Sequence, residues 1–409
     1  MFLKLTKFSY IASFEIEHIK CFKDKQILKF TDENDKPYRW TVLLGDNGTG
    51  KTSILRSMLM TVQGYYHHAK KQYIDLLNVN ENSSLMLTYL NNKGQENDLI
   101  TFKNYGKGLL VNVEAEADGI NFSEPIFGYG ANRIGAKGSS SFFEKSFDPG
   151  NLIDEDEKLI DVERYFLDID HFNKTKKTAK SQAEFDTLKQ MLLSILPEIE
   201  DLRIITSERN TRLEFLTPYG WAKFGDMSLG YRTITAWMVD LAVKMFSISP
   251  NSKNPLEQPA IVFIDEIDLH MHPQWQQKII GYLTEKFPRT QFIVTAHSPL
   301  IVQSAADANV IVLKRKGNQA VVENDPISVK NWRIDQILSS DLFGVSSRSV
   351  EITSKLTRRK ELLRKDELGS NEKKELDKLE KEVAFLPSAE SPEMIKAMDI
   401  IRKAANNLK

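Results

Sequence analysis

Gly45-Asp46-Asn47-Gly48-Thr49-Gly50-Lys51-Thr52 is the stretch on which the fold turns. It satisfies the pattern GxxxxGK(S/T), and its flanks agree with it. Thr41-Val42-Leu43-Leu44 before it is a short apolar strand, and Ser53-Ile54-Leu55-Arg56 after it opens a helix. Glycines suit such a loop because backbone amides must wrap a phosphate at a distance where a Cβ would collide. The amides and the helix N-terminus supply fixed positive potential. Lys51 adds a mobile charge at the β- and γ-phosphates, and the Thr52 hydroxyl is placed to ligate Mg2+. Gly45, Asn47, Gly48, Gly50, Lys51, Thr52 and Ser53 are therefore the expected nucleotide contacts.

A phosphate loop needs an acidic partner, and the chain offers one far downstream. Ala260-Ile261-Val262-Phe263-Ile264-Asp265-Glu266 is an apolar strand that ends in two acids. Asp265 is expected to hold Mg2+, and Glu266 to polarise the attacking water as general base. Such a pair standing alone is ordinarily a solvated turn; the independent phosphate loop gives it weight. The next strand, Phe292-Ile293-Val294-Thr295, leads to Ala296-His297-Ser298, which places His297 to sense a γ-phosphate. His270 and His272, two apart and without nearby thiols, read as structural rather than as metal ligands.

Between the phosphate loop and the acidic strand lies Phe224-Gly225-Asp226-Met227-Ser228-Leu229-Gly230-Tyr231-Arg232, followed by a helix expected from about Thr233 to Lys244. Ser228 has N-cap chemistry, and free amides at such an end form an anion site. With these four elements in this order the chain resembles the ABC-type ATPases of the RecF/SMC kind, whose signature is usually written LSGGQ. Met227-Ser228-Leu229-Gly230-Tyr231 keeps the serine and the second glycine and puts Leu229 at the first glycine, a departure common among the non-transporter relatives. The resemblance implies that Ser228 and Gly230 meet the γ-phosphate of ATP held by a second copy, and that Asp268 and His297 report it across the interface. Two chains then complete two sites. The glutamine of the family's glutamine loop has no clear counterpart. Gln63 follows the phosphate loop too soon and Gln95 falls in an expected hairpin, so Asn132 or Arg133 is the candidate to serve the nucleotide instead.

The opening Phe14-Glu15-Ile16-Glu17-His18-Ile19-Lys20-Cys21-Phe22 also resembles the start of the RecF/SMC-kind proteins. Three further phrases narrow the resemblance: Asp265 through Trp275, Phe127-Gly128-Tyr129-Gly130-Ala131-Asn132-Arg133, and Trp332-Arg333-Ile334-Asp335-Gln336-Ile337-Leu338. Together they are similar to the bacterial "ATP-binding protein involved in virulence" group, which includes the PtuA-like ATPase subunits of Septu and retron antiphage systems.

The bulk composition agrees with a globular α/β protein. The 409 residues leave room for several subdomains, 41% are hydrophobic and 27% charged, and the net charge is −1, so no global basic field points to nucleic acid. One cysteine, Cys21, excludes an internal disulfide and fits a reducing cytoplasm. No apolar run is long enough to cross a bilayer, and the opening residues lack a signal peptide's apolar stretch. The expected architecture is an α/β, ABC-type P-loop ATPase head with a β-rich N-terminal lobe (1–133) carrying the phosphate loop. A mainly helical insert (134–222), a lobe with signature helix, acidic strand and switch histidine (223–345) and a helical tail (346–409) follow. Residues 135–141 read as a flexible Gly/Ser loop, Leu152 to Ile169 and Ala183 to Ile195 as helices of the insert, and Gly369-Ser370-Asn371 as the turn of a hairpin in the tail.

Function is narrowed by what is missing. There are no long heptad arms for an SMC scaffold, and no acid cluster in the tail for a nuclease of the overcoming-lysogenisation-defect type. The altered signature and lack of a spanning segment argue against a transporter. The expectation is an ATPase subunit of an antiphage system, a homodimer or higher homo-oligomer that controls a separately encoded effector, an HNH-type nuclease. The helical insert and the tail's leucine stripe (Leu362, Leu363, Leu368, Leu376, Leu379, Val383, Leu386) would be docking surfaces. The alternative is a RecF-like clamp on duplex DNA, for which Lys174, Lys176, Lys177, Lys180, Arg358, Arg359 and Lys360 are candidate contacts.

Overall fold

The computed structural model describes residues 9–63, 83–91, 94–104, 109–115, 124–133, 135, 147–148, 150–176, 179–196, 198–206, 211–305, 308–324, 332–340, 342–346, 348–365 and 369–383. Most of the expected Gly/Ser loop (136–141), Lys177, Leu368 and Leu386 lie outside these residues. The chain divides into two compact units, Met1–Phe343 and Gly344–Lys409.

In the first unit the elements run β1 (Tyr10–Glu17), β2 (Gln26–Lys29), β3 (Trp40–Gly45), α1 (Lys51–Gln63), β4 (Ser84–Asn91), β5 (Gly94–Asn104), β6 (Leu109–Ala115), β7 (Ile126–Tyr129) and β8 (Phe147–Asp148). Next come α2 (Gly150–Ile153), α3 (Val162–Lys176), α4 (Ala179–Ile195), β9 (Asp201–Thr206), β10 (Thr211–Thr217), β11 (Gly220–Lys223) and α5 (Leu229–Ile248). The unit closes with β12 (Ala260–Ile264), α6 (Pro273–Gln276), α7 (Ile279–Lys286), β13 (Thr290–Thr295), α8 (Pro299–Ser304), β14 (Asn309–Lys316), β15 (Gln319–Glu323) and α9 (Ile334–Ser339).

Seven strands form the central sheet in the order β15-β14-β3-β13-β12-β7-β8, parallel except for the β14/β15 hairpin. Its inner strands β3, β13, β12 and β7 are buried almost throughout because both faces are covered, as parallel sheets require. The alternation of side chains sorts them into two cores. Val42, Leu44, Val262, Ile264, Phe292 and Val294 pack toward the helical side, with Trp237 and Met238 of α5 and Leu188 of α4. Leu43, Ile261, Phe263 and Ile293 pack the other way, against Ile54, Leu55 and Met58 of α1 and Phe14, Ile16 and Leu28 of the antiparallel sheet β2-β1-β4-β5-β6. The side chain of Gln291 stitches this second sheet to the first: its Oε1 accepts from Ile11 N (2.9 Å) and its Nε2 donates to Ile11 O (3.0 Å).

Inside the helical-side core lies a buried ion pair. Lys244 Nζ and Asp240 Oδ2 are 2.7 Å apart on one face of α5, and both side chains are almost wholly shielded. Tyr129 OH donates to the same Asp240 oxygen (2.9 Å), and Ile160 N donates to the other (3.1 Å). The pair is thus hydrogen-bonded on both sides, the condition under which a buried charge is tolerated.

Three expectations shift. Leu152 to Ile169 is not one helix: α2 stops at Ile153, and α3 begins only at Val162. The acids between break it by bonding nearby backbone, Asp154 Oδ1 accepting from Asp156 N (3.1 Å) and Asp161 Oδ1 from Arg164 N (3.0 Å). The insert also contains a three-stranded antiparallel sheet, β11-β10-β9, whose third strand was not foreseen. The signature helix α5 starts at Leu229, four residues before the expected Thr233, with Ser228 as its N-cap.

The second unit holds α10 (Val350–Leu363) and α11 (Ser370–Val383), an antiparallel hairpin. Ion pairs Lys355–Glu382, Arg358–Glu375, Arg359–Glu380 and Lys365–Glu372 lace it. The turn lies earlier than Gly369-Ser370-Asn371, since Ser370 already begins α11; Gly369 N donates instead to Glu372 Oε2 (3.0 Å).

Candidate active site

The phosphate loop leaves β3 and enters α1 with three glycines at positive φ: Gly45 (146°), Gly48 (80°) and Gly50 (91°). Close approach is real at two of them. A Cβ at Gly45 would sit 2.4 Å from Leu313 O, and one at Gly50 would sit 2.6 Å from Cys21 Sγ and 2.7 Å from the Phe22 ring. Lys51 Nζ donates to Gly45 O (2.6 Å) and Asp46 O (3.0 Å). Burial lowers its pKa, and the carboxylates of Asp265, Glu266, Asp46 and Asp268 pull it back upward.

Parallel pairing of β12 with β13, Ile264 opposite Val294, brings the acidic strand end beside Thr295. Thr52 Oγ1 donates to Asp265 Oδ2 (2.7 Å), and Thr295 Oγ1 donates to Asp265 Oδ1 (2.6 Å). Both oxygens of the buried aspartate are thereby oriented. Thr52 and Asp265 present the neutral and anionic oxygen donors that Mg2+ favours, so the residues fit the expected ion. Glu266 follows with φ +49°, in the left-handed region that a non-glycine residue seldom occupies. Asn47, Gly48, Gly50, Lys51, Thr52, Ser53, Asp265, Glu266 and His297 therefore line one cleft of about 340 Å³, together with Lys20 and Cys21.

Asp268 stands behind His297. Its carboxylate accepts from His297 N (3.2 Å and 3.3 Å), which ties the acidic-strand loop to the histidine's backbone. Gln276 braces the same loop, donating to Asp268 O (3.3 Å) and Met271 O (3.0 Å) and accepting from Ser298 Oγ (2.6 Å). His272 Nδ1 accepts from Gln274 N (3.4 Å), a helix-cap contact.

Ser228 and Gly230 are not part of that cleft. They line a second one, of about 530 Å³, with His270, Tyr231, Trp275 and Glu198. The Ser228 side chain makes no cap hydrogen bond, and Gly230 packs so closely that an added Cβ would fall 2.5 Å from His270 O. One chain therefore carries the phosphate loop and the signature on separate surfaces.

Neither Asn132 nor Arg133, the two candidates to serve the nucleotide, lines the phosphate-loop cleft. The Arg133 side chain turns inward, 1% exposed, and its guanidinium donates to three backbone carbonyls: Gly130 O (3.1 Å), Asp265 O and Glu266 O (2.7 Å). Its pKa is lowered to about 10 by burial, against the upward pull of Asp265, Asp268 and Glu266. Asn132 is exposed, with Nδ2 3.4 Å from Glu155 O. Asn151 of α2 supports the turn, accepting from Gly130 N (2.8 Å) where an added Cβ at Gly130 would meet Asn151 O at 2.4 Å. Thr295, Asn151 and Gln276 were not foreseen by motif reading, and Arg133, named there as a nucleotide contact, bonds the backbone of the acids instead. For Thr295 the strand register was the available signal, since two parallel strands ending together align Asp265 with it.

Among known families, a model described as "AAA domain, putative AbiEii toxin, Type IV TA system" matches residues 252–303, the acidic-strand and switch-histidine segment. The "Septu protein PtuA" of Bacillus mycoides (strain KBAB4) is 26% identical over 381 residues, 91% of this chain and 50% of that protein. The "Retron Ec83 probable ATPase" of Escherichia coli is 33% identical over 172 residues, 40% of this chain and 29% of that protein. The chain thus spans half or less of the length of these curated relatives. Among solved structures, the SmcHead bound to the C-winged helix domain of ScpA aligns with 78% of this chain and 98% of its own, at 17% identity and a TM-score of 0.48. Among the described residues, no helix is long and apolar enough to cross a membrane.

Proposed function

We propose that this chain, an ABC-type ATPase resembling PtuA, binds ATP with Mg2+ between two copies of itself and hydrolyses it, as the ATPase subunit of a bacterial antiphage system working in the cytoplasm. The observation that carries the chemistry is the contact of Thr52 Oγ1 with Asp265 Oδ2 at 2.7 Å, with Glu266 next in the chain and Lys51 in the same cleft. In this reading the loop amides and Lys51 bind the phosphates, while Thr52 and Asp265 hold the ion. Bound Mg2+ would neutralise charge on the phosphate oxygens. Glu266 accepts the proton of the attacking water as general base, and His297 orients the γ-phosphate.

The second copy enters because of where Ser228 and Gly230 lie. A γ-phosphate needs donors on its outer side, and the free end of α5 supplies them only from a surface distinct from the phosphate loop. A head-to-tail pair brings the two together and makes two complete sites. Asp268, bonded to the backbone of His297, then links each site to its interface.

The partner, a separately encoded effector nuclease of the HNH type, rests on the likeness to PtuA. In the tail, Leu362 and Leu379 are buried and Leu363 is half exposed, so only part of the expected stripe is open to dock an effector. The rival reading, a clamp on duplex DNA, needs free cations. Of those nominated, Lys174 is paired with Asp170 (2.6 Å), Arg358 with Glu375 (2.9 Å) and Arg359 with Glu380 (3.0 Å), which leaves exposed Lys180 and Lys360 as the described candidates for that reading.

Glu266→Gln is the decisive variant. It is expected to bind ATP as the wild type does, to release phosphate at least about 100-fold more slowly, and to accumulate as an ATP-bound dimer in size-exclusion chromatography with light scattering. Unchanged phosphate release would remove Glu266 from the chemistry, and a monomer at saturating ATP would remove the second copy.

A further inference from the structure

We infer that Arg133 is a positioning residue for the carboxylate of Glu266, with Thr295 as its counterpart on the opposite side of the same backbone. The inference rests on the reading of Glu266 as general base. A general base must be aimed as well as charged, and Glu266 has φ +49°, a conformation a glutamate does not hold unaided.

Every polar group of the two peptide units flanking Glu266 Cα is accounted for. In the unit joining Asp265 to Glu266, the carbonyl accepts from Arg133 Nη1 and the N–H donates to Thr295 Oγ1 (2.6 Å). In the unit joining Glu266 to Ile267, the carbonyl accepts from Arg133 Nη2 (2.7 Å) and the N–H donates to Thr295 O (3.0 Å). One arginine and one threonine thus hold both planes, which fixes φ and ψ at Glu266 and with them the direction of its Cα–Cβ bond. The two carbonyls turn toward Arg133 and the two N–H groups toward Thr295.

The choice of arginine has a geometric reason. Two adjacent carbonyls require two donors held at a set separation, which a planar guanidinium fork supplies and a single ammonium does not. Arg133 is itself locked, since Nη1 also donates to Gly130 O (3.1 Å) and the side chain is buried. It remains charged at neutral pH even though burial draws its pKa down to about 10. Neither residue lines the phosphate-loop cleft, so neither acts by touching nucleotide.

The test measures single-turnover phosphate release and ATP affinity at saturating Mg2+ in the full chain carrying Thr295→Val, Arg133→Lys or Arg133→Met, each alone and with Glu266→Gln. Arg133→Met is expected to slow release by about 100-fold, the effect of misplacing a catalytic group by roughly an ångström, while ATP affinity stays unchanged; Thr295→Val, which also releases Asp265 Oδ1, should slow release at least as much. Arg133→Lys, which keeps the charge and loses the fork, should resemble Arg133→Met more than the wild type. With Glu266→Gln present, the Arg133 substitutions should cause no additional slowing, because there is no base left to aim. Wild-type release rates, or for the Arg133 substitutions a loss of affinity equal to the loss of rate or full slowing on top of Glu266→Gln, would each overturn the inference. Should Arg133→Met not fold, Arg133→Lys carries the same decision. A Glu266→Gln chain that hydrolyses at the wild-type rate is a separate result: it overturns the general-base reading itself, and this inference with it.

Discussion

Gly50 shows how much of the site depends on an absent methyl group. Its φ of +91° is closed to most side chains, and a Cβ there would lie 2.6 Å from Cys21 Sγ and 2.7 Å from the buried ring of Phe22. Gly48, at φ +80°, has nothing within 4 Å and feels only the conformational restriction. Gly50→Ala is therefore expected to destabilise the chain by about 1–3 kcal/mol through overpacking. It should also abolish ATP binding, read by thermal unfolding and titration with a fluorescent nucleotide; a wild-type affinity would show that the loop tolerates the shift. At this scale the motif residues were legible because their chemistry is local: Lys51, Thr52, Asp265 and Glu266 announce themselves by type and order. Thr295 and Arg133 were not, because their work is done on backbone distant in sequence. Nothing in the composition of Gly130-Ala131-Asn132-Arg133 tells that its arginine turns inward to Asp265 and Glu266.

Elements were legible where the period of apolar residues was clean. The buried strands β3, β12 and β13 were read nearly to their ends, since a short β-branched run flanked by turns has few alternatives. The helix expected over Leu152 to Ile169 failed at Asp154 to Asp161, where acidic side chains bond local backbone. The tail hairpin was legible in kind, though its turn was misplaced by the pull of Gly369. Its cross-helix pairs lead to a prediction with a definite sign. Hydrogen bonds from Lys365, Arg358 and Lys355 hold Glu372, Glu375 and Glu382 below their ordinary value of 4.5. A depressed carboxylate pKa stabilises the folded form fully above the ordinary value and loses that stabilisation as pH falls through the lower, folded one. Residues 350–383 should therefore lose amide protection in hydrogen exchange below pH 4.5, after correction for intrinsic rates, with high salt producing a similar loss at neutral pH. Protection unchanged by either acid or salt would show that the ion pairs contribute nothing to the hairpin.

For the whole molecule, the separation of the phosphate-loop cleft from the Ser228–Gly230 cleft invites a mixing experiment. A Lys51→Ala chain lacks a working phosphate loop and a Ser228→Arg chain lacks a working signature, so each alone should be inactive. In a mixed dimer both lesions fall in one site and leave the other intact. Equal amounts should therefore recover about one quarter of the wild-type phosphate release if chains exchange freely and the sites act independently. No recovery would mean that each chain works alone or that both sites must fire together. The buried pair of Asp240 and Lys244 bears on how such an assembly moves. Tyr129 grips Asp240 from β7, the strand paired with the one that leads to the acids, while Asp240 itself rides on the helix that begins at Ser228. Turning that helix on its axis would strand two charges in hydrocarbon, at a cost of about 3–5 kcal/mol. Helix and sheet are thus pinned like a spoke to its hub. A push delivered at Ser228 by a neighbouring molecule is not cushioned by slip within the core but reaches the strand beside Asp265 as leverage.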